Sequence, residues 1–556
     1  MLYGNIAMEG KTMKKNKTNL KFTIMVIVLI AVFCIAITPK TLQNDTFYTI
    51  KIGEYIMQNG IDMKDPFSWH EDLDYTYPHW AYDVGTFLVY KLGGMEGIYI
   101  ATIILTIILG LSIYYTTSKR VNNRLIPFLL TIGTFLLLRD YIAARAQLVT
   151  FILFIFTVYF IECFLDTGKK RYALGLIVIP ALIANIHLAV FPFYFILYLP
   201  YIGEYVISKL TNYNTWLYRL KIKRIKRQIQ KDNNNLRLKE KLLIIEKEYI
   251  NYKNVVGKKK EPYKIIINSS KYVPALIVVM IICIFTGLLT PLKLTPYTYL
   301  VKTMQGNTTH NISEHLPLTL AQHHLYMALL VVYVAILMFT DTKIKLSDLF
   351  MLGGLIFLSF ITRRQMSMVM LVGVFIINRL VVSFINKYDK KGLEDAERII
   401  IKPIGILITG ALIIMSSISI YIPKIKDKFI DEKSYPVEAA IWIKENIDLK
   451  TARIYNEYNY GSYLLYQDIP VFIDSRADLY APEFNGKKDI FMDFINISGL
   501  NLTDMQKKLD EYDFTHFIIK KDAKLEIYLK LMNDKYEKVY NDVIDQTENF
   551  KKYYNA

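Results

Sequence analysis

Asp45 stands directly behind the first apolar stretch of the chain, in "TLQNDTFYTI". A carboxylate so placed sits at a membrane surface, where it can take a proton or bind a cation. With Thr46 beside it, it can equally cap the helix that follows. In the same segment His79 and Asp83 are four apart, the spacing that puts two side chains on one helical face. That pair suits a metal, or a hydrogen-bonded histidine at the membrane interface. Arg139 and Arg145 flank one short turn between apolar runs, and Arg363 and Arg364 share another, "TRRQ". Forked guanidinium groups bind phosphate through paired hydrogen bonds, so converging arginines suit a lipid phosphate. The alternative is snorkelling, or pairing with loop carboxylates. Asn185 and His187 interrupt a long apolar run, where polar groups face either a cavity or a partner helix. His310, Glu314 and His315 are metal-ligand types, but their spacing matches neither HExxH nor HxxEH. The chain has no Gly-rich phosphate loop and no GxSxG elbow, so ATP and serine hydrolysis find no support.

The elements that must position these residues follow from composition. Of 556 residues, 53% are hydrophobic and only 21% charged, with a mean hydropathy of +0.25. That balance excludes a soluble multidomain enzyme and a disordered chain. The three cysteines, Cys34, Cys163 and Cys283, lie inside apolar runs and build neither a disulfide framework nor a zinc site. With ~20 apolar residues needed per crossing, the sequence predicts a mainly α polytopic membrane protein of about 11 transmembrane helices. Their centres lie near residues 30, 106, 131, 155, 179, 198, 281, 331, 354, 374 and 412.

The net charge of +17 is concentrated: residues 209–264 hold 17 Lys/Arg against 5 Asp/Glu. A basic segment between two apolar spans marks the cytoplasmic side and has anionic membrane lipid, not nucleic acid, as its expected partner. The predicted arrangement is a transmembrane domain, 1–422, with a cytoplasmic N-terminus, a basic cytoplasmic loop at 209–272 and outer loops at 39–95 and 291–323. All eight histidines then fall on the outer side or at an outer helix end. Residues 423–556 change character. "RIYNEYNYGSYLLYQ", "VFIDSR" and "HFIIKK" read as β-rich and "DAKLEIYLKLMNDK" as helical, which predicts a small extracytoplasmic α/β domain.

Several segments in order resemble the GT-C-fold integral membrane glycosyltransferase superfamily, in particular a bacterial group with a C-terminal extracytoplasmic domain. They are Asp45, "FYTIKIGEYI", "DPFS", Pro78-His79-Trp80, "ARAQL", "ANIH", "ISEHLP", "RRQMSM", "NEYNYGSYLLY" and "VFIDSRADLY". Thr49 stands where the group has histidine, a glutamate is missing after His79, and Ala146 replaces proline. The resemblance implies a membrane glycosyltransferase that moves a sugar from a polyprenyl-phosphate-linked donor to an envelope glycan, lipid or protein acceptor on the outer face of the cell membrane. It casts Asp45 as the catalytic carboxylate and Arg145, Arg363 and Arg364 as candidates for the lipid phosphate. His79, His187, Glu314 and His315 become cavity-lining substrate contacts. No cofactor is implied beyond a possible divalent cation, whose ligands the resemblance does not assign. Asp474, Arg476 and Asp478 would face the acceptor; read as residues alone, they form a turn held by an Asp–Arg pair. A lipid or polysaccharide transporter, or a non-catalytic envelope-assembly protein, is the alternative.

Overall fold

The computed structural model describes residues 2–121, 123–211, 213–232, 235–259, 264–541 and 547–552. The apolar runs form helices: α1 (Leu2–Ile37), α2 (Asn44–Asn59), α3 (Trp80–Arg120), α4 (Leu125–Leu138), α5 (Ala146–Thr167), α6 (Lys170–Ile186), α7 (Phe191–Ile196) and α8 (Leu199–Thr211). Two polar helices follow, α9 (Tyr213–Lys231) and α10 (Leu236–Lys259). Then come α11 (Val273–Phe285), α12 (Thr295–Gln305), α13 (Thr308–Asn311), α14 (His324–Phe339), α15 (Leu346–Ile361), α16 (Met366–Tyr388), α17 (Lys390–Ile400) and α18 (Pro403–Tyr421). Ten of the expected span centres fall inside helices, and residue 198 falls on the turn between α7 and α8. Among the described residues, six helical stretches are long and apolar enough to cross a bilayer unaided. Along α18, Ile404, Leu407, Leu412 and Met415 are each more than half exposed, a face suited to lipid rather than water. The chain is a multi-pass membrane protein.

Beyond α18 lie α19 (Val437–Asn446), α20 (Tyr458–Tyr466), α21 (Pro482–Asn485), α22 (Ile490–Ser498), α23 (Leu502–Tyr512) and α24 (Lys524–Leu531). Two short strands, β1 (Ile265–Ile266) and β2 (Ile344–Lys345), pair near the basic segment. The others, β3 (Ile454–Asn456), β4 (His516–Lys520), β5 (Tyr536–Asn541) and β6 (Thr547–Lys552), form a sheet of order β3-β4-β6-β5. Within this sheet β3 and β4 pair in parallel and the other described neighbours are antiparallel. "VFIDSR", read as a strand, is not one: it makes a single bridge, from Val471 to Ser68. The side chain of Asn456 takes the place of a strand partner, accepting from the Phe472 N–H at 2.8 Å and donating to the Ile473 carbonyl at 2.7 Å.

Two large apolar cores result, beside a small cluster of Ile126, Val382 and Leu393. One fills the space between the spans, and the other joins segment 39–95 to the segment beyond α18. Phe47 of α2 meets Tyr435 and Tyr463 edge-on, at centroid distances of 4.9 and 5.3 Å. The 41 residues of α3 would measure ~60 Å if straight, about twice a bilayer core. Gly94 breaks the helix, with φ 60° and ψ −151°, a conformation open to glycine. The part before it packs on α2, and Tyr90 reaches Tyr466, hydroxyl to hydroxyl, at 2.7 Å. The α2–α3 contact is closest at Gly53, where an added Cβ would stand 2.1 Å from the Asp83 carbonyl oxygen. Backbone cannot yield there, so Gly53→Ala is expected to cost ~1–3 kcal/mol, measured by thermal unfolding in detergent.

At the far end of the spans, Arg379 of α16 donates to Asp348 of α15 at 2.9 and 2.5 Å and to Glu162 of α5 at 2.7 Å. Arg120 of α3 pairs with Glu162 at 2.6 Å, so two cations balance two carboxylates and four helices are tied together.

Candidate functional site

Asp45 does not cap α2. Gln43 holds the cap position without a side-chain bond, and Asp45 lies in the first turn, where the helix dipole favours a negative charge. Its carboxylate meets Arg145, the residue before α5, at 2.9 Å. The other arm of Arg145 reaches Glu314 at 3.6 Å. One guanidinium therefore joins the turns at 44–46, 145 and 313–315. Asp45 and Arg145 remain about a quarter exposed and Glu314 half exposed, so a ligand can reach all three. Around them, Gln43 Oε1, Asn44 Oδ1 and Arg145 Nε are buried without a hydrogen-bond partner. Unpaired buried acceptors and donors are costly, and here they border an accessible charged group.

Arg363 and Arg364 open α16 through a short 3-10 turn. The Arg363 N–H donates to the Leu316 carbonyl at 3.0 Å, and Thr362 Oγ1 donates to the Glu314 carbonyl at 3.2 Å, docking the 313–316 turn on this one. Neither arginine forms an ion pair with a carboxylate among the described residues, although both are half-buried. Arg379, at the other end of the same helix, holds two carboxylates. The contrast leaves Arg364 as a cation without an anion. Its charge acts on His79, His187 and His315 and on Asp478.

The histidines are held neutral. His79 precedes α3 and packs its ring against His187, 5.3 Å between centroids. Thr150 Oγ1 lies 2.9 Å from His187 Nδ1. Burial, aided by Arg364 and Arg145 and opposed by Asp45, brings the pKa of His79 down to about 4. His315 also falls to about 4, through burial and then Arg364, with Glu314 opposing. An unfolded histidine titrates near 6.5, so between these values the unfolded chain binds more protons. Stability is then full above pH ~6.5 and falls as pH drops toward 4. Thermal unfolding at pH 7.5 and 4.5 is expected to show a lower midpoint in acid, with a smaller drop in His79→Gln.

The His79–Asp83 metal pair, the alternative to a hydrogen-bonded interfacial histidine, does not form: the His79 ring packs on His187 instead. The Asp83 carboxylate is turned into the α2–α3 contact and buried beside Thr49. His310 is exposed on α13. Asn185 is fully occupied, accepting from Trp80 Nε1 at 3.1 Å and donating to the Ala181 and Leu289 carbonyls. Among the described residues no three His, Cys, Asp or Glu side chains come together as a metal site. Asp45 and Glu314, the two carboxylates nearest that role, are both engaged by Arg145, so the donor set does not fit a divalent cation.

The segment beyond α18 completes the site. Asp474 and Arg476 form the expected internal pair, and Arg476 also donates to Asp65 at 2.6 Å. Tyr480 donates to Asp474 at 2.7 Å. Burial raises the Asp65 carboxyl, but Arg476 and the Ser68 N–H outweigh it and hold its pKa below the usual range. Asp478 is separate from this clamp. It accepts from the Tyr299 hydroxyl, and burial lifts its pKa despite Tyr299 and Arg364. Tyr458, whose hydroxyl donates to the Ser475 carbonyl at 3.3 Å, feels the charges of Asp45, Asp478 and Glu314. The sequence does not single out Tyr299 or Tyr458. Both lie in tyrosine-rich stretches; the partner of Tyr299 is 179 residues on, and that of Tyr458 is a backbone carbonyl 17 residues on.

A polytopic helical domain with a sheet-bearing segment at one end has counterparts in fold among solved membrane proteins. An archaeal oligosaccharyltransferase, AglB from Archaeoglobus fulgidus, in complex with an inhibitory peptide and a dolichol-phosphate, is similar with a TM-score of 0.52. The match covers 92% of this chain and 71% of that one at 12% identity. The apo form of the Archaeoglobus fulgidus enzyme gives the same values. No family model and no curated protein matches the sequence.

Proposed function

We propose that the protein is a glycosyltransferase that moves a sugar from a polyprenyl-phosphate-linked donor to a cell-envelope acceptor, at the end of the molecule that carries the sheet. The observation that carries this reading is the pairing of an accessible Asp45–Arg145–Glu314 group with a half-buried Arg364 that has no anion. A lipid phosphate leaving group supplies that anion, and guanidinium forks bind it where charge develops. Arg363 provides a second cation. Neutral His79, His187 and His315 line the space without competing for the phosphate. Asp45, released from Arg145 by the incoming acceptor, takes the acceptor proton as the sugar–phosphate bond breaks. Asp478 and Tyr458 orient the acceptor from the other side. No step is routed through a metal, since the described carboxylates do not form a ligand set.

Sidedness follows from charge. The positive charge of Lys169–Arg171, Lys343, Lys345 and the basic helices supports a cytoplasmic N-terminus and basic end, with the four-stranded sheet outside.

Carrier-lipid and surface-glycan profiles of deletion, wild-type and Asp45→Asn cells test the proposal. A sugar-charged carrier is expected to accumulate with loss of one glycan decoration in both the deletion and the variant. Full rescue of the deletion by Asp45→Asn would remove the catalytic role of Asp45 and favour transport or assembly.

A further inference from the structure

Helix α8 follows α7, which begins four residues after His187, and α9 begins two residues after the last residue of α8. The basic segment is therefore tied to the end of a span. Along α9, Arg219, Lys221, Lys223, Arg224, Lys226, Arg227 and Lys231 supply positive charge, with no acidic residue. Tyr218, Ile222, Ile225 and Ile229, spaced four, three and four, form the inner stripe. Ile225 is 6% exposed, and the Tyr218 ring lies 5.6 Å from that of Tyr252 on α10. The two helices thus make a real hairpin with its own apolar seam.

Between them opens a cleft of about 660 Å³ with Ile222 and Ile250 in its wall. Of its cations, Arg219 donates to Tyr249 Oη at 3.1 Å and Lys226 pairs with Glu246 at 2.9 Å. Lys223 and Arg227 also line the cleft and have no ion pair among the described residues. They lie one turn apart on the stripe Trp216, Leu220, Lys223, Arg227, which joins two exposed apolar side chains to two exposed cations. Trp216 is 53% and Leu220 43% exposed.

We propose that the cleft between α9 and α10 binds the headgroup of an anionic phospholipid, with Lys223 and Arg227 on its phosphate and Trp216 and Leu220 entering the bilayer interface. The stripe decides the class of ligand. Tryptophan and leucine beside lysine and arginine match the boundary of headgroup and acyl chain. Leucine adds nothing to a contact with a polynucleotide backbone, where cations alone neutralise phosphates. The direct continuation from a span also holds the hairpin near the membrane surface.

The test uses delipidated full-length protein in neutral detergent, with bound lipid counted by native mass spectrometry. Phosphatidylglycerol and phosphatidylcholine of equal chain length are titrated separately, with inorganic phosphate and a short RNA as competitors. Wild type is expected to prefer phosphatidylglycerol by about tenfold, and Lys223→Gln/Arg227→Gln to lose that preference. Both side chains are exposed, so the variant is expected to keep the wild-type melting point. Equal affinity for the two lipids, or an unchanged preference in the variant, would overturn the proposal. Displacement by phosphate at lipid-like concentration would make this a free-anion site, and tighter retention of RNA a nucleic-acid surface; either contradicts it.

Discussion

Replacing Arg476 by methionine is expected to destabilise the segment beyond α18 by ~3–5 kcal/mol, the usual consequence of removing one member of a buried ion group. Arg476 is 2% exposed, and Asp65 and Asp474 are fully buried. Its guanidinium spends four hydrogen bonds on these two carboxylates. The rings of Phe67 and Tyr75 add their faces at 5.4 and 5.0 Å. Methionine would leave two buried negative charges with no cation. Hydrogen exchange over residues 437–541 is expected to rise in the variant while that of the spans stays near wild type. Simultaneous replacement of Asp65, Asp474 and Arg476 by apolar residues is expected to recover most of the loss, because the cost lies in the uncompensated charges. An Arg476→Met protein with wild-type exchange would show that the clamp does not hold this segment. Because Tyr458 and Asp478 ride on it, the same variant is expected to lose transfer activity as well.

The second large effect belongs to Arg364. Its charge acts on His79, His187, His315 and Asp478, and it forms no ion pair with a carboxylate among the described residues. Arg364→Gln is expected to lower sugar transfer ~10²–10³-fold, the range seen when one preorganised donor to a developing charge is removed. Arg364→Lys is expected to recover part of this, restoring the charge but not the fork. Folding is expected to be unharmed or slightly improved, since removing an unpaired half-buried cation relieves desolvation. A variant that transfers at the wild-type rate would take the phosphate role away from this residue.

The spans were readable because each is a long apolar run, and the bilayer makes that pattern the dominant one. The helical segment "DAKLEIYLKLMNDK" and the strand "HFIIKK" were readable from their own local apolar patterns. "VFIDSR" was not, because its backbone is paired by the Asn456 side chain, and an alternating pattern cannot tell a strand from an extended loop bonded in that way. Asp45 could be placed near the membrane surface but not assigned, since a cap and a site carboxylate share one local sequence. Its partner Arg145 is a hundred residues on, and only the fold brings the two within 2.9 Å. His79 and Asp83 show the converse error. Their spacing is right for one helical face, but His79 precedes the helix, and its ring turns to His187 instead. The resemblance gave Asp474, Arg476 and Asp478 a common role and the residues alone an Asp–Arg turn; Asp474 and Arg476 form that pair, while Asp478 bonds Tyr299 instead.

The most direct test is transfer by purified protein in liposomes, given a polyprenyl phosphate carrying an isotope-labelled sugar together with an envelope extract. The account predicts a labelled product with a new glycosidic bond, and a fall of ~10²-fold or more for Asp45→Asn. Movement of the intact labelled carrier across the bilayer, with no new glycosidic bond and no effect of Asp45→Asn, would contradict it.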